Sequence, residues 1–136
     1  MRSLAPITVV FWACLGLALV LTQCATAQKQ EAPSFDNPDK LIEVSSGQEF
    51  RIVLDANPTT GFTWQLSSPL DDTLVTLVGN AYDAPSTPGR VGGGGKQTWT
   101  FKAMRRGHTA IGLMYARPWE KGVDPAKKLM FTVIIR

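Results

Sequence analysis

Beyond residue 40, apolar side chains recur at every second position in a series of short runs. Phe50, Ile52 and Leu54 form one run, and the chain closes on another that contains Phe131 and Val133. A period of two predicts strands that bury one face and expose the other. We predict seven such strands, near residues 41–44, 50–54, 62–66, 74–82, 99–103, 111–115 and 129–135.

Turn residues separate these runs at intervals of roughly 8–12 residues, a spacing typical of β-sandwiches. Apart from the first 27 residues, no window has sustained helical spacing. We therefore predict an all-β fold, an immunoglobulin-like antiparallel β-sandwich of about seven to eight strands, over residues 40–136. Residues 28–39 are polar and contain proline, so we expect a flexible leader there.

The first 27 residues have the pattern of a secretory signal peptide. Arg2 precedes an apolar run over residues 7–21, and Ala25-Thr26-Ala27 provides small residues for cleavage. We expect a secreted or periplasmic protein after cleavage near Ala27. A lipid anchor at Cys24 is the second alternative, because Gln23 stands where a lipoprotein signal requires a small residue.

Removal of 27 of the 136 residues leaves 109, enough for one domain. Both cysteines, Cys14 and Cys24, lie in the removed segment, so the mature domain has no disulfide and no thiolate. The signal segment contains one of the 14 basic residues, which leaves 13 against 11 acidic ones. Without a clustered basic face, this balance gives no support for nucleic-acid binding. We expect the mature domain to be monomeric.

Catalytic patterns are missing from the sequence. His108 is the only histidine, and Asp71-Asp72 lie in a predicted turn, where solvation explains them. The glycine run before Lys96 fails as a phosphate loop, because Arg90 and Gln97 occupy positions that need Gly and Ser or Thr. We predict no catalytic residues, no cofactor and no metal site, and therefore no enzyme.

Three segments carry side chains that ordinary turns do not need. If every strand reverses direction, these segments follow the second, fourth and sixth strands and emerge at one end of the sandwich. We name them the first, second and third loops. They consist, in order, of Asn57, Pro58, Thr59, Thr60, Gly61 and Phe62; of Gly92, Gly93, Gly94 and Gly95; and of Arg117, Pro118 and Trp119.

Their chemistry suits binding. Pro58 stiffens the first loop and presents Thr59 and Thr60 as small polar groups. The glycines let the backbone of the second loop approach a partner closely. Arg117 and Trp119 are residue types enriched at interface hot spots. A flexible hairpin and a core-covering tryptophan would explain each loop alone, whereas three such loops at one end favour a binding surface.

In order and placement, these motifs resemble those of the chagasin-type inhibitors of papain-like cysteine peptidases. The resemblance rests on Asn57-Pro58-Thr59-Thr60-Gly61-Phe62, on Gly92, Gly94 and Gly95, and on Arg117-Pro118-Trp119. It implies reversible, non-covalent inhibition by three loops that enter the peptidase cleft. Thr59 would lie nearest the catalytic residues, the glycine loop along the substrate side, and the third loop on the other flank. The alternative is a cell-envelope immunoglobulin-like module that binds carbohydrate or has a structural role.

Overall fold

The computed structural model describes residues 31–85 and 93–136. Within these ranges the chain forms eight strands and a single 3-10 turn at Pro58–Thr60. The strands are β1 (Ser34–Phe35), β2 (Ile42–Val44), β3 (Glu49–Ala56), β4 (Thr63–Leu66), β5 (Val75–Asp83), β6 (Gly95–Ala103), β7 (Gly107–Ala116) and β8 (Lys127–Ile135).

Two four-stranded sheets form the sandwich. Sheet A has the order β1-β3-β6-β5, and sheet B has the order β2-β8-β7-β4. Most neighbours are antiparallel, while β1 pairs parallel with β3 and β2 pairs parallel with β8. The predicted all-β, immunoglobulin-like sandwich is confirmed, and each of the seven predicted strands is present.

The core lies between the sheets and consists of the side chains that the alternation placed on the inner face. Phe50, Phe101, Phe131, Ile111 and Leu113 are completely buried. The rings of Phe50 and Phe101 stack at 5.6 Å between centroids, which joins β3 to β6 within sheet A. Burial of each such side chain stabilises the fold by about 1.5–3 kcal/mol, and the predicted mature domain has no disulfide to add to this.

The eighth strand, β1, falls inside the segment for which we predicted a flexible leader. Ser34 and Phe35 pair with Arg51 and Ile52 of β3, and the ring of Phe35 meets Phe50 edge-on at 6.5 Å. Two residues are too few to show an alternation, so the sequence pattern did not reveal this strand. Phe35 packs against the core, and this contact together with the pairing to β3 holds the strand in place.

The predicted signal peptide at residues 1–27 lies outside the described residues, as do residues 28–30 of the leader. Between residues 31 and 136, excluding 86–92, the structure contains no helix that is long and apolar enough to cross a membrane.

Candidate functional site

The three loops meet at one end of the sandwich, as the alternation of strand directions predicts. The first loop connects β3 to β4, the second leads into β6 and includes its first residue, Gly95, and the third follows β7. Arg117 of the third loop donates from Nε to the carbonyl oxygen of Thr60, at 3.2 Å. Gly94 of the second loop lies against the start of the first loop, where an added Cβ would lie 3.3 Å from the carbonyl oxygen of Ala56 and 3.8 Å from Cβ of Asn57. We call this end the rim. Gly92 lies outside the described residues.

The first loop is a tight 3-10 turn held by its own hydrogen bonds. The carbonyl oxygen of Asn57 accepts from Thr60 N at 3.2 Å and from Thr60 Oγ1 at 2.7 Å. Thr59 Oγ1 donates to Asn57 Oδ1 at 2.5 Å. Gly61 ends the turn with a φ of 81° and donates its N–H to Pro58 O at 2.9 Å. Pro58, Thr59 and Thr60 are exposed on a rigid turn.

The stems of the first loop are anchored by aromatic side chains. Trp64 of β4 donates from its indole Nε1 to the carbonyl oxygen of Asp55 on β3, at 2.9 Å. Tyr115 of β7 accepts the backbone N–H of Asn57 on its hydroxyl at 2.9 Å, and its ring stacks on Phe62 at 5.4 Å. Phe62, which we predicted as a contact residue, is half-buried in this stack.

Sequence reasoning missed Tyr115 as a residue that shapes the rim. The alternation placed Tyr115 on one apolar face of its strand, and an aromatic residue there is read as core. Its hydroxyl was the available signal, because a half-buried Tyr usually finds a hydrogen-bond partner.

Arg117 is oriented inward by three contacts. In addition to the bond to Thr60, its Nη1 donates to Glu120 Oε1 at 3.0 Å. Its Cζ atom lies 4.5 Å from the centroid of the Phe62 ring, a cation–π arrangement. The residue that we predicted as a binding contact therefore also fixes the third loop against the first.

Trp119 is the most exposed large apolar side chain at the rim, with 66% of its surface accessible. The edge of its ring rests on Gly61, where an added Cβ would lie 2.5 Å from Cη2 and 2.9 Å from Cζ2. Gly61 is needed for two reasons, its positive φ and the proximity of the indole. Pro118 beside Trp119 is also exposed.

The described glycines of the second loop differ in their surroundings. Gly94 is exposed and borders the first loop, whereas Gly95 is buried at the start of β6. A Cβ at Gly95 would overlap the carbonyl oxygen of Asp83 and lie 2.6 Å from the hydroxyl of Tyr82. Gly95 therefore serves close packing of β5 on β6. Gly93 is half-buried near Pro85.

The rim offers hydroxyl, amide and indole groups, with exposed charges at its edge. Lys96 Nζ pairs with Asp55 Oδ1 at 2.7 Å. Among the residues that the structure describes, no group of three or more His, Cys, Asp or Glu could hold a metal ion. A cleft lined by Glu31, Ser46 and Arg51 lies at the other end of the sandwich, beside the β2–β3 turn. The groups at the rim are suited to non-covalent contact with a protein surface.

Comparison with known proteins identified one matching family model and several proteins of similar sequence. The model of the family described as "Chagasin family peptidase inhibitor I42" matches residues 43–135, a range that contains all three loops. Amoebiasin-2 of Entamoeba histolytica is 34% identical over 95 residues, which cover 70% of this chain and 76% of that protein. Chagasin of Trypanosoma cruzi is 34% identical over 98 residues, covering 70% of this chain and 86% of chagasin.

Solved structures agree with the sequence comparisons. The cysteine protease inhibitor EhICP2 of Entamoeba histolytica superposes with a TM-score of 0.65 at 30% identity, covering 77% of this chain and 96% of EhICP2. Leishmania mexicana ICP superposes with a TM-score of 0.54 at 29% identity, covering 74% of this chain and 91% of that one.

Proposed function

Since the chain belongs to the chagasin family of peptidase inhibitors, we propose that it is a reversible, non-covalent inhibitor of papain-like cysteine peptidases. The family match over residues 43–135 carries this proposal, because it includes the whole rim. The family consists of inhibitors and not of enzymes, which agrees with the lack of catalytic patterns in the sequence. The carbohydrate-binding or structural alternative is not favoured.

The rigidity of the rim supports tight binding. The first loop is closed by internal hydrogen bonds, and Arg117 connects it to the third loop. Loops that are already ordered lose little conformational entropy on docking, so more of the contact energy remains as affinity. Thr59 and Trp119 remain exposed on this rigid base and are available to a partner.

The first loop is proposed to occupy the catalytic centre, with Thr59 nearest the nucleophilic cysteine and Thr60 beside it. A substrate is cleaved only when its carbonyl carbon faces the thiolate and its carbonyl oxygen enters the oxyanion hole. In this loop the carbonyl oxygens of Asn57, Pro58 and Thr60 already accept hydrogen bonds from the inhibitor itself. A carbonyl oxygen that already accepts a hydrogen bond within the inhibitor is hindered from entering the oxyanion hole, so we expect these three peptide bonds to resist cleavage while the loop blocks the site.

The other two loops are proposed to bind the flanks of the cleft. The second loop, from Gly92 to Gly95, would follow the substrate side, where its exposed Gly94 allows close backbone approach. Trp119 would provide the main apolar contact on the opposite flank, with Pro118 and the outer part of Arg117 beside it. The complex requires no cofactor.

Titration of papain with residues 28–136 tests the proposal. We expect activity to fall as the protein is added and to recover on dilution, while gel filtration shows a one-to-one complex and a monomeric free inhibitor. Gel electrophoresis after long incubation should show an uncleaved chain. Full papain activity at a large excess of folded protein would contradict the proposal.

We also propose that the protein acts outside the cytoplasm after cleavage near Ala27. The apolar run and the small residues before Gln28 support this location. N-terminal sequencing of the protein from its native source should begin at Gln28. A chain that begins at a lipid-modified Cys24 would instead support the anchored alternative.

A further inference from the structure

Gln97 is a polar side chain in an otherwise apolar interior. It lies on β6, two residues after Gly95, and its side chain points between the sheets with 8% of its surface accessible. Its strand neighbours are Leu54 on β3 and Tyr82 on β5. Burying an amide is unfavourable unless its donors and acceptor find partners. The partners of Gln97 therefore indicate what this residue does.

The amide of Gln97 crosses from sheet A to sheet B and pairs with the backbone of Trp64. Its Oε1 accepts the N–H of Trp64 at 3.0 Å, and its Nε2 donates to the carbonyl oxygen of Trp64 at 3.3 Å. Nε2 also donates to Asn80 Oδ1 at 3.1 Å. One side chain thus satisfies both backbone groups of one residue, as a neighbouring strand would.

Trp64 needs such a partner because β4 is an edge strand. In sheet B, β4 follows β7 and has no further neighbour within the described chain. Residues of an edge strand alternately turn their N–H and C=O groups toward the paired strand and away from it. Gln97 takes the place of the missing strand at the position closest to the rim.

Trp64 in turn holds the stems of the first loop. It lies three residues after Gly61, and its indole bonds to Asp55 on the opposite stem. A shift of the Trp64 backbone would move the end of β4 and the loop that leads into it. We propose that Gln97 is a positioning residue for inhibition, which sets the first loop through the backbone of Trp64.

This inference rests on the proposed function for its inhibition readout, but the free protein provides a second readout. Gln97→Met keeps the length of the side chain and removes both hydrogen bonds to Trp64. We expect inhibition about tenfold weaker and loop amides at 57–62 that exchange about tenfold faster. The matched control is Gln48→Met at the other end, where Gln48 Oε1 accepts from Ser45 N at 2.9 Å. The control should change neither quantity.

If the Gln97→Met variant does not fold, Gln97→Glu is the second variant that tests the positioning role. A neutral carboxylic acid can donate to Trp64 O, whereas a carboxylate would face the acceptor oxygens of Trp64 and Asn80. The neighbouring charged groups, Asp55, Asp83 and Lys96, are present in both proteins. The inhibition constant of the variant is therefore compared with that of the unsubstituted inhibitor at the same pH. Inhibition should approach the unsubstituted value at pH 4.5 and fall at pH 8.

The two failures are distinguishable. If the unsubstituted protein does not inhibit papain, the proposed function is wrong, and the exchange rates still test the role of Gln97. If it inhibits, and the Gln97 variants match it in inhibition and in exchange at 57–62, the positioning role is overturned. Equal losses for the Gln48 and Gln97 variants would also overturn it, since they would reflect general destabilisation.

Discussion

The two ends of the sandwich are closed in different ways. At the end opposite the rim, which we call the far end, backbone groups tie the β2–β3 turn to the ends of neighbouring strands. Gly47 N donates to Ala103 O at 2.7 Å, and Ser46 N donates to Arg136 O at 2.9 Å. Ser46 Oγ adds a short bond to Met104 O at 2.8 Å.

At the rim, long side chains connect one loop to another. Arg117 reaches from the third loop to Thr60 and Phe62, and Tyr115 reaches from β7 to Asn57. Trp119 rests on Gly61 with most of its surface exposed.

A fold that closes one end with simple turns can thus present a binding surface at the other end. The far end is closed by backbone bonds together with short side-chain bonds such as that of Ser46, whereas the rim has additional contacts in which long side chains connect one loop to another. Their effect is to fix three loops relative to one another while Thr59 and Trp119 remain accessible. Exposed aromatic groups on rigid supports are typical of interface hot spots.

Loss of the exposed indole should have the largest effect at the rim. Trp119→Ala is expected to weaken inhibition of papain by about 30-fold, from about 2 kcal/mol of lost contact energy. The measurement is the inhibition constant, with Met104→Ala as control, because Met104 is an exposed apolar side chain at the far end. Equal inhibition by the two variants would contradict the assignment of the binding surface to the rim.

A pair of glycines tests the ends with the same substitution. Gly61 at the rim and Gly47 at the far end have φ values of 81° and 83°. Alanine at either position should destabilise the fold by about 1 kcal/mol through backbone strain.

Only Gly61→Ala should also displace Trp119, since no atom of the described residues lies within 4 Å of a Cβ added at Gly47. We expect inhibition about tenfold weaker for Gly61→Ala and unchanged for Gly47→Ala. Urea unfolding and inhibition constants measure the two effects. If Gly47→Ala also inhibits more weakly, backbone strain would explain the weaker inhibition by Gly61→Ala without any displacement of Trp119.

Arg117→Lys should have a smaller effect. Lysine keeps the charge but lacks the Nε–H donor and the planar group that lies over Phe62. The loss of about 1 kcal/mol corresponds to inhibition about fivefold weaker. Arg136→Lys at the far end, where Arg136 pairs with Glu43 at 3.0 Å, is the control and should inhibit normally. Full inhibition by Arg117→Lys would leave Arg117 without a role in holding the loops.

The smallest effect is expected at the far end itself. Hydrogen bonds from the Thr73 hydroxyl and backbone N–H lower the pKa of Asp71. A carboxyl group whose pKa is lowered in the folded protein stabilises the fold at pH values above its ordinary pKa. This contribution is lost as the pH falls through the folded pKa. Thr73→Val should raise the pKa of Asp71, as followed by NMR titration, and leave inhibition unchanged. An unchanged pKa would show that the hydroxyl bond is unimportant.

The strands and the common location of the loops could be predicted from the sequence. Alternation of apolar residues reports which face of a strand is buried, and this depends only on residues close in the chain. Phe50 and Phe131 were identified in this way, and counting strand reversals placed the three loops at one end. The resemblance of the loop motifs then named the family.

Other features depended on the order of strands in the sheets, which alternation does not report. Gln97 was read only as a residue that breaks a phosphate-loop pattern, because its role requires β6 to face the open edge of β4. Tyr115 and Arg117 hold the first loop through contacts between residues more than 50 positions apart. Apolar alternation was therefore enough to predict which strand faces are buried, and the strand count was enough to predict which loops share an end. Which side chains hold those loops depends on the folded arrangement, because long-range hydrogen bonds form where strands meet in space.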